Sequence, residues 1–595
     1  MDQEPIIGID LGTTNSEVAV IESGRPRVIE EDDTGILPSV VGLTEDDRVL
    51  VGQPARNQWL LAPERTIRSV KRRMGEDVKL PMGNRQFSPQ EVSAIILRAL
   101  KSRAERHLGR AVRKAVITVP AYFNDAQRQA TREAGELAGL EVVRILNEPT
   151  AASLVYEAGQ KGAQTVLVYD LGGGTFDVSI VRIENNVVEV RASHGDTHLG
   201  GDDFDALLLN HVAAHFESRH GIDLRNDRRS HARLLRAVEQ AKIRLSADPY
   251  ARIDEEFIAE KSGQALHLSL EIERREYENL IRPLIERTTA AVQAALHDAG
   301  LLAEDIDRIV LAGGATRTPL VRQELQERTG KEPHLEVDPD LCVAMGAAIQ
   351  AGIIAGQDVG AVLVDVTPHT FGISVLGERG GLPYPHQFSP IIRKNTSLPA
   401  SRSEVYFTVF DDQESVEIEV FQGEDADALK NTRIGCFRVT GLSHVPSHNP
   451  VTCRLDLDLN GMLKVTATEK RTGLAKDIII DNAMSRFEAQ EMSVAGRRLR
   501  ELLGDDDEDL GLDADAEAAA EQDSIATGSD DPVYAKSRGL VERARAMLAA
   551  MPVEDQDTVI RLTERIHDTV ANGESDEAKK AMQELEDILF YLEEA

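Results

Sequence analysis

The sequence predicts a multidomain chain in three parts, α/β, then all-β, then α, and three changes of pattern carry that prediction. Between residue 6 and about 355, short β-rich runs alternate with helical patterns, as at 115–119, 166–170 and 309–312, the signature of α/β architecture. From 367 to about 482 helical periodicity disappears, and alternating segments at 403–408, 415–421, 451–459 and 463–468 recur between turn signals, as in an antiparallel β-domain. Helical character returns near 488–503 and again over 534–550, 553–571 and 575–593. A chain of 595 residues also exceeds what one hydrophobic core organises.

Within the α/β part, one phrase occurs twice, about 160 residues apart. It reads Ile6-Ile7-Gly8-Ile9-Asp10-Leu11-Gly12-Thr13-Thr14 first, then Val166-Leu167-Val168-Tyr169-Asp170-Leu171-Gly172-Gly173-Gly174-Thr175. Each copy sets an aspartate and a glycine turn at the end of an apolar strand, so the domain is expected to be a duplicated unit. Glycine turns with outward backbone N–H groups hold phosphate, and two facing turns would grip one polyphosphate from both sides. Thr13, Thr14 and Thr175 add hydroxyls where a terminal phosphate would lie. Carboxylates repel phosphate, so Asp10, Asp170 and Asp177 imply a divalent cation, most naturally Mg²⁺ keeping its waters. Neither turn is a P-loop or a Rossmann fingerprint, because the lysine of the first and the glycine spacing of the second are both missing.

Residues 358–366 interrupt the pattern with the apolar run Val362-Leu363-Val364 between Asp358 and Asp365, and read as a linker or as the first edge strand of the β-domain. Residues 504–531 hold twelve acidic side chains and no basic one, and such a segment repels itself. In the last helical stretch Ala578, Met582, Leu585, Ile588, Leu589 and Leu592 form one apolar stripe, suited to a small bundle. The boundaries therefore fall at 1–357, 358–366, 367–483, 484–503, 504–533 and 534–595.

Composition narrows the partners. A formal charge of −34 argues against phosphate-backbone binding to nucleic acid and against an anionic membrane surface. Cys342, Cys436 and Cys453 form no metal-spaced pair and no disulfide framework, which suits a reducing compartment. The acidic start and the lack of any apolar run of spanning length lead to the expectation of a cytoplasmic protein.

Five long ordered motifs then resemble the DnaK-type seventy-kilodalton heat-shock chaperones. They are Gly8 to Ser16, Val119-Pro120-Ala121-Tyr122-Phe123-Asn124-Asp125, Asn147-Glu148-Pro149-Thr150-Ala151-Ala152, Asp170 to Asp177, and Leu199-Gly200-Gly201. The resemblance covers nearly the whole chain and implies an actin-like two-lobed ATPase domain with ATP or ADP in the cleft, a β-sandwich peptide-binding domain and a C-terminal helical lid. It implies that Lys71 reaches the γ-phosphate and helps position the attacking water, that Glu148 and Asp170 act with it, and that Asp10 and Asp177 organise the Mg²⁺ shell. Such a site suits phosphoryl transfer, which needs positioning and charge neutralisation more than a covalent nucleophile. By itself Lys71 would read as one of a solvated basic stretch with Arg72 and Arg73.

Adenosine recognition is assigned by the same resemblance to the segments 239–246 and 313–319. Glu239, Lys242 and Ser246 share one helix face, Gly313 and Gly314 form a further turn, and Arg317 can stack its guanidinium on adenine. Glu239 and Lys242 would otherwise read as an i,i+3 surface pair. Asp340 is retained, although Leu341-Cys342 replaces the family's usual Glu-Ala and Ile243 stands where some members carry arginine.

In the β-domain, Phe371, Ile373, Val375, Leu376, Tyr406, Phe407, Val409, Val416 and Ile418 are expected to line a channel for an extended peptide, each having plain core as its alternative. Backbone bonds plus apolar pockets recognise extension rather than sequence. The run Val362-Leu363-Val364 resembles the family's linker, which docks on the ATPase domain in the ATP state. Four departures stand beside these likenesses: a longer glycine- and proline-rich loop at 377–391, Ser447 where a lid-latching arginine is usual, the acidic 504–531 in place of part of the lid, and a C-terminus without the eukaryotic cytosolic acidic tail. They predict a weakly latched lid with fast peptide exchange.

The expected function is thus an ATP-driven molecular chaperone. Expected partners are unfolded polypeptides, a J-domain cochaperone and a GrpE-like exchange factor, and the expected state is a monomer. A specialised paralogue of narrow client range is the first rival and a sugar-kinase-like enzyme the second.

Overall fold

The computed structural model describes residues 4–157, 162–185, 187–333, 337–357, 362–473, 475–479 and 489–503, with 562, 579–580, 582 and 585. The chain divides into two compact units, 1–505 and 506–595. In the second, Leu562, Met582 and Leu585 are buried, as an apolar stripe requires. The acidic stretch 504–533, most of 534–595 and the start of the linker at 358–361 lie outside the described residues.

Two sheets organise the first 357 residues, and they repeat one plan. In the first, strand Ile6–Leu11 lies parallel to Lys114–Val119 and antiparallel to Asn15–Glu22. In the second, Gln164–Leu171 lies parallel to Arg308–Ala312 and antiparallel to Phe176–Glu184. The central strands are mostly apolar, as buried strands are, apart from Asp10 and Asp170 near their ends and Gln164 and Thr165 at the start of the second. Leu167, Tyr169 and Leu171 enter one core cluster, while Val166 and Val168 point the other way into a second. Part of the motif at 119–125 is explained by helix capping. Asn124 accepts the backbone N–H of Gln127, whose side chain accepts the N–H of Asn124, and this box starts helix Asp125–Leu137.

Strand Val362–Val364 adds in parallel to Val187–Asp196, with Val187 opposite Val362 and Glu189 opposite Val364. The linker is therefore the outer strand of the second lobe's sheet and not the first strand of the β-domain. Residues 367–479 form two four-stranded sheets that share one core, with Ile373, Ile418 and Val420 from one and Val451, Leu455 and Val465 from the other.

The expected long loop at 377–391 is instead a hairpin. Strands Phe371–Arg379 and Leu382–Ile392 pair up to Arg379 opposite Leu382, leaving a two-residue Gly380-Gly381 turn with φ of 62° and 81°. Only glycine adopts both angles freely, so the glycines read as loop are a tight hairpin turn. Its end is pinned to Asp427, which accepts from Tyr384 Oη and Arg379 Nη1, both at 2.9 Å.

Helix Ala489–Leu503 buries Ala495 and Leu499 in the first lobe's core, and Arg498 pairs there with the fully buried Glu91.

Candidate active site

The two glycine turns do face each other. A Cβ on Gly173 would lie 1.9 Å from Thr14 Oγ1, so the second turn touches the first with no room for a side chain. Between them opens a cavity of about 320 Å³. One end is walled by Asp10, Gly12, Thr13, Thr14, Lys71, Glu148, Asp170, Gly173 and Thr175; the other by Gly201, Glu239, Lys242, Ser246, Gly313, Gly314, Arg317 and Asp340.

Three expected residues stand behind the wall. Gly200 packs under the Gly173 carbonyl, where a Cβ would come within 2.5 Å, so it supports the turn without lining the cleft. Gly174 is pressed against Thr13 and Arg72, which a Cβ would meet at 2.7 and 2.9 Å. Asp177 is buried, and its Oδ1 accepts the Tyr122 N–H at 3.0 Å.

The acidic end is short of positive charge. Lys71 is 4% exposed and hydrogen-bonds Glu148, so it belongs to no solvated basic stretch. Burial works against its charge, but Glu148, Asp10 and Asp170 together hold it protonated. Burial pushes Glu148 up to about 7, with Asp10 adding and Lys71 opposing. It pushes Asp177 up to about 8, with Glu148 adding, and raises Asp10 and Asp170 as well. One lysine cannot balance this many carboxylates, which is the electrostatic condition for a bound cation. Among the described residues no three acidic, His or Cys side chains converge to hold a metal directly. The donor set therefore fits an ion held through its waters, as Mg²⁺ prefers.

The other end is built differently. Helix Arg228–Ala247 presents Glu239, Lys242 and Ser246 on its cleft face. Glu239 does not pair with Lys242. It takes Arg56 at 2.8 Å and Arg68 at 3.8 Å, whereas Lys242 reaches Asp205 at 2.7 Å and the Gly201 carbonyl at 3.1 Å. Arg68 also lies 4.4 Å over the ring of Trp59, the only tryptophan of the chain. Ser69 to Asp202 and Arg72 to Asp203 tie the Arg68 segment in turn to the start of helix Gly201–His220. Arg317 forks onto Asp340 through Nε and Nη2 and onto Asp338 through Nη2, which fixes the plane of its guanidinium.

The cleft also recruits residues that sequence reasoning missed, among them Asn15, Glu17, Arg56 and Val343, and it is lined by Ile243, the departure noted in the adenosine segment. Glu17 had a legible signal. It follows Asp10 by seven positions, as Asp177 follows Asp170, and each pair sits opposite across an antiparallel strand pair. Burial, Asp10 and Asp340 push its carboxyl well above the ordinary range, against Lys71 and Arg103.

In the β-domain the nine expected channel residues separate by burial. Phe371, Ile373 and Ile418 are 3–5% exposed and belong to the shared core, so for them the plain-core reading is the one the structure takes. Val375, Tyr406 and Val416 pack half-buried against that core. Leu376, Phe407 and Val409 are about half exposed, at 50, 56 and 49%, and Phe410, which was not expected, is 71% exposed. Leu376 is out because the register slips between Val375 and Gly377, and a bulge re-aims the side chain it carries.

The β-domain and the two lobes of the α/β part meet through polar contacts around the linker. Asn147 donates to the buried Asp365 at 3.0 Å, and Ile145 N–H to Asn460 at 3.2 Å. His369 Nε2 stands 3.1 Å from the Tyr122 carbonyl, with the two rings edge to face. Asp298 gathers His194, Lys394 and Asn395.

A protein-family model described as "Hsp70 protein" matches residues 6–85 and 76–594. "Chaperone protein DnaK" of Thermotoga petrophila is 44% identical over 577 residues, covering 95% of this chain and 93% of the relative. The protein of that name from Thermotoga neapolitana is 49% identical over 488 residues, 80% of each chain. With a duplicated glycine-turn cleft joined by a strand-forming linker to a two-sheet β-domain, and with matches of this extent, the chain belongs to the Hsp70 family.

Proposed function

We propose that the cleft binds ATP or ADP with Mg²⁺ and that the bound nucleotide sets the grip of the β-domain on extended apolar segments of unfolded polypeptides. As an Hsp70 protein, the chain is an ATP-dependent molecular chaperone and an ATPase. In this reading Gly12, Gly173, Thr13, Thr14 and Thr175 bind the phosphates, and Lys71, oriented by Glu148, lies against the γ-phosphate and the attacking water. Asp10 and Asp170 would accept from the waters of a bound cation, and Asp177, held by the Tyr122 N–H, stands opposite Asp170 behind them. The cation, when bound, neutralises charge on the phosphate oxygens. Arg317, Lys242, Ser246, Glu239 and Asp340 take the adenosine.

The single observation that carries the coupling is strand Val362–Val364 on the outer edge of the second lobe's sheet. A strand that adds to one lobe and leads through the buried Asp365 into the β-domain gives two arrangements, docked and undocked, whose balance nucleotide can shift. The exposed apolar side chains Leu376, Phe407 and Val409 then meet the client. A helical lid that starts at 484–503 and continues, past the acidic insert 504–533, as a bundle over 534–595, a J-domain cochaperone, a GrpE-like exchange factor, a cytoplasmic location and a monomeric state complete the reading.

ATP turnover measured alone, with an unfolded peptide and with small sugars tests it. Stimulation by peptide is expected, abolished in Lys71→Ala and lost when Val362 and Leu363 become aspartate. Phosphate appearing on a sugar would overturn it.

A further inference from the structure

The hairpin at 371–392 leaves the sheet in which it starts. Strand Phe371–Arg379 pairs with Ser415–Gln422 only from Phe371 to Ile373, where Ile373 stands opposite Val420. Beyond Ile373 its one strand partner among the described residues is Leu382–Ile392, so a two-stranded arm carries Leu376 outward. Two strands alone are marginal in water, and such an arm needs an outside hold. Its root has one in the small core of Phe388, Phe421 and Ala428, where the Phe388 N–H donates to the Ala426 carbonyl at 2.9 Å. Its far end has Asp427. Both carboxylate oxygens are taken there, Oδ1 by Tyr384 Oη and Oδ2 by Arg379 Nη1, and the Arg379 guanidinium lies 5.2 Å over the Tyr384 ring. The segment that bears Asp427 is itself fixed, because Glu424 accepts from the Thr370 N–H and hydroxyl, both at 2.9 Å. Leu376, half exposed at the bulge, thus lies between two points of attachment, and the outer one is a single side chain.

We propose that Asp427 is a positioning residue of the client site: it clasps the hairpin arm so that Leu376 is held against the bound segment, and it thereby sets how fast that segment leaves. The inference rests on the reading of Leu376, Phe407 and Val409 as the client face. A side chain already fixed when the client arrives needs no ordering on binding, and the gain appears in the release rate more than in the capture rate. The clasp lies wholly within the β-domain and needs no contact from the lid.

The test is the dissociation rate of a fluorescent extended peptide from the full chain loaded with ADP. Asp427→Ala is expected to quicken release about fivefold, the scale of one net hydrogen bond. Tyr384→Phe, which removes one bond and leaves the carboxylate in place, is expected to quicken it about twofold, and it keeps the test open if the alanine variant folds poorly. In a Leu376→Ser background Asp427→Ala should leave the rate unchanged, because the clasp acts through Leu376. Rates unaltered in both single variants overturn the proposal. So does the same acceleration persisting without Leu376, which would mark a merely structural clasp. Failure of the underlying reading looks different: wild type would bind no extended peptide, and the inference would fall with it.

Discussion

The nucleotide cleft and the apolar face of the β-domain are built on opposite terms. The cleft is an enclosed space whose wall is fixed by backbone: glycines that tolerate no Cβ, capped helices and ion pairs that run from one side to the other. The β-domain offers half-exposed apolar side chains at a strand bulge and strand ends, with the rest of the expected channel sunk into the core. One region selects a ligand by precise placement, and the other accepts many ligands because little is placed. Substitutions should therefore act on chemistry in the cleft and on affinity or stability in the β-domain.

The largest effect is expected at the cleft's one buried lysine. Lys71→Ala should lower single-turnover hydrolysis by about 10²–10³-fold, the scale of one preorganised electrostatic group, with the dissociation constant of Mg-ADP changed far less. An equal loss in both would blur the division between the regions, because Lys71 would then be a binding residue only.

Between the regions the expected effect depends on pH. Burial pushes His369 down to about 4 from an ordinary 6.5, with Arg128 and His194 adding repulsion and the Tyr122 carbonyl opposing. A depressed histidine docks in its neutral form, so its contribution is complete above pH 6.5 and is lost as pH falls toward 4. Each unit below 6.5 removes about 1.4 kcal/mol from docking, to about 3 kcal/mol in all. Amide exchange of Val362–Val364 in ADP-free and ATP-loaded chain between pH 7 and 5 reads this slope. His369→Leu should flatten it, and identical slopes in the two proteins would refute the assignment.

Two substitutions in the β-domain sharpen the contrast within that domain. Ile418→Ala should cost about 2–4 kcal/mol of stability in thermal unfolding, because it empties core. Leu376→Ser should cost less than about 0.5 kcal/mol, and its effect should fall instead on the affinity of a fluorescent extended peptide, by roughly tenfold. The reverse ranking would mean that the bulge does not mark the client face.

The smallest effect is expected at the edge of the cleft. Asp338→Asn keeps an acceptor for Arg317 but removes one charge from a half-exposed fork, so ADP release in stopped flow should quicken by about threefold, with binding of tripolyphosphate unchanged. A change in tripolyphosphate binding would place Arg317 at the phosphates.

The same contrast explains what was legible in the sequence. The cleft could be read because glycine, threonine and aspartate at a strand end have few structural uses in that order, and the repeat stated them twice. Glu17 was overlooked because it lies just past the repeated phrase, and the match of Asp10+7 with Asp170+7 is a match of register and not of residue type. Gly174, Gly200 and Asp177 shared the motif but not the wall, because a motif records contact with the turn as well as with the ligand. In the β-domain alternation fixes a face and not its depth, so core and client residues look alike until a bulge separates Leu376 from Ile373. The glycines at 380–381 could equally have marked a loop or a type I′ turn, and only strand pairing decides.

The contact of Arg68 with Trp59 has a use of its own. The guanidinium that covers the only indole also reaches Glu239 on the other side of the cleft. When the lobes part, Arg68 loses Glu239 but stays beside the ring, and the emission of the chain's single tryptophan is expected to report that loss. The chain thus carries an intrinsic optical gauge of cleft opening, which needs no label and stands apart from the residues that perform the chemistry.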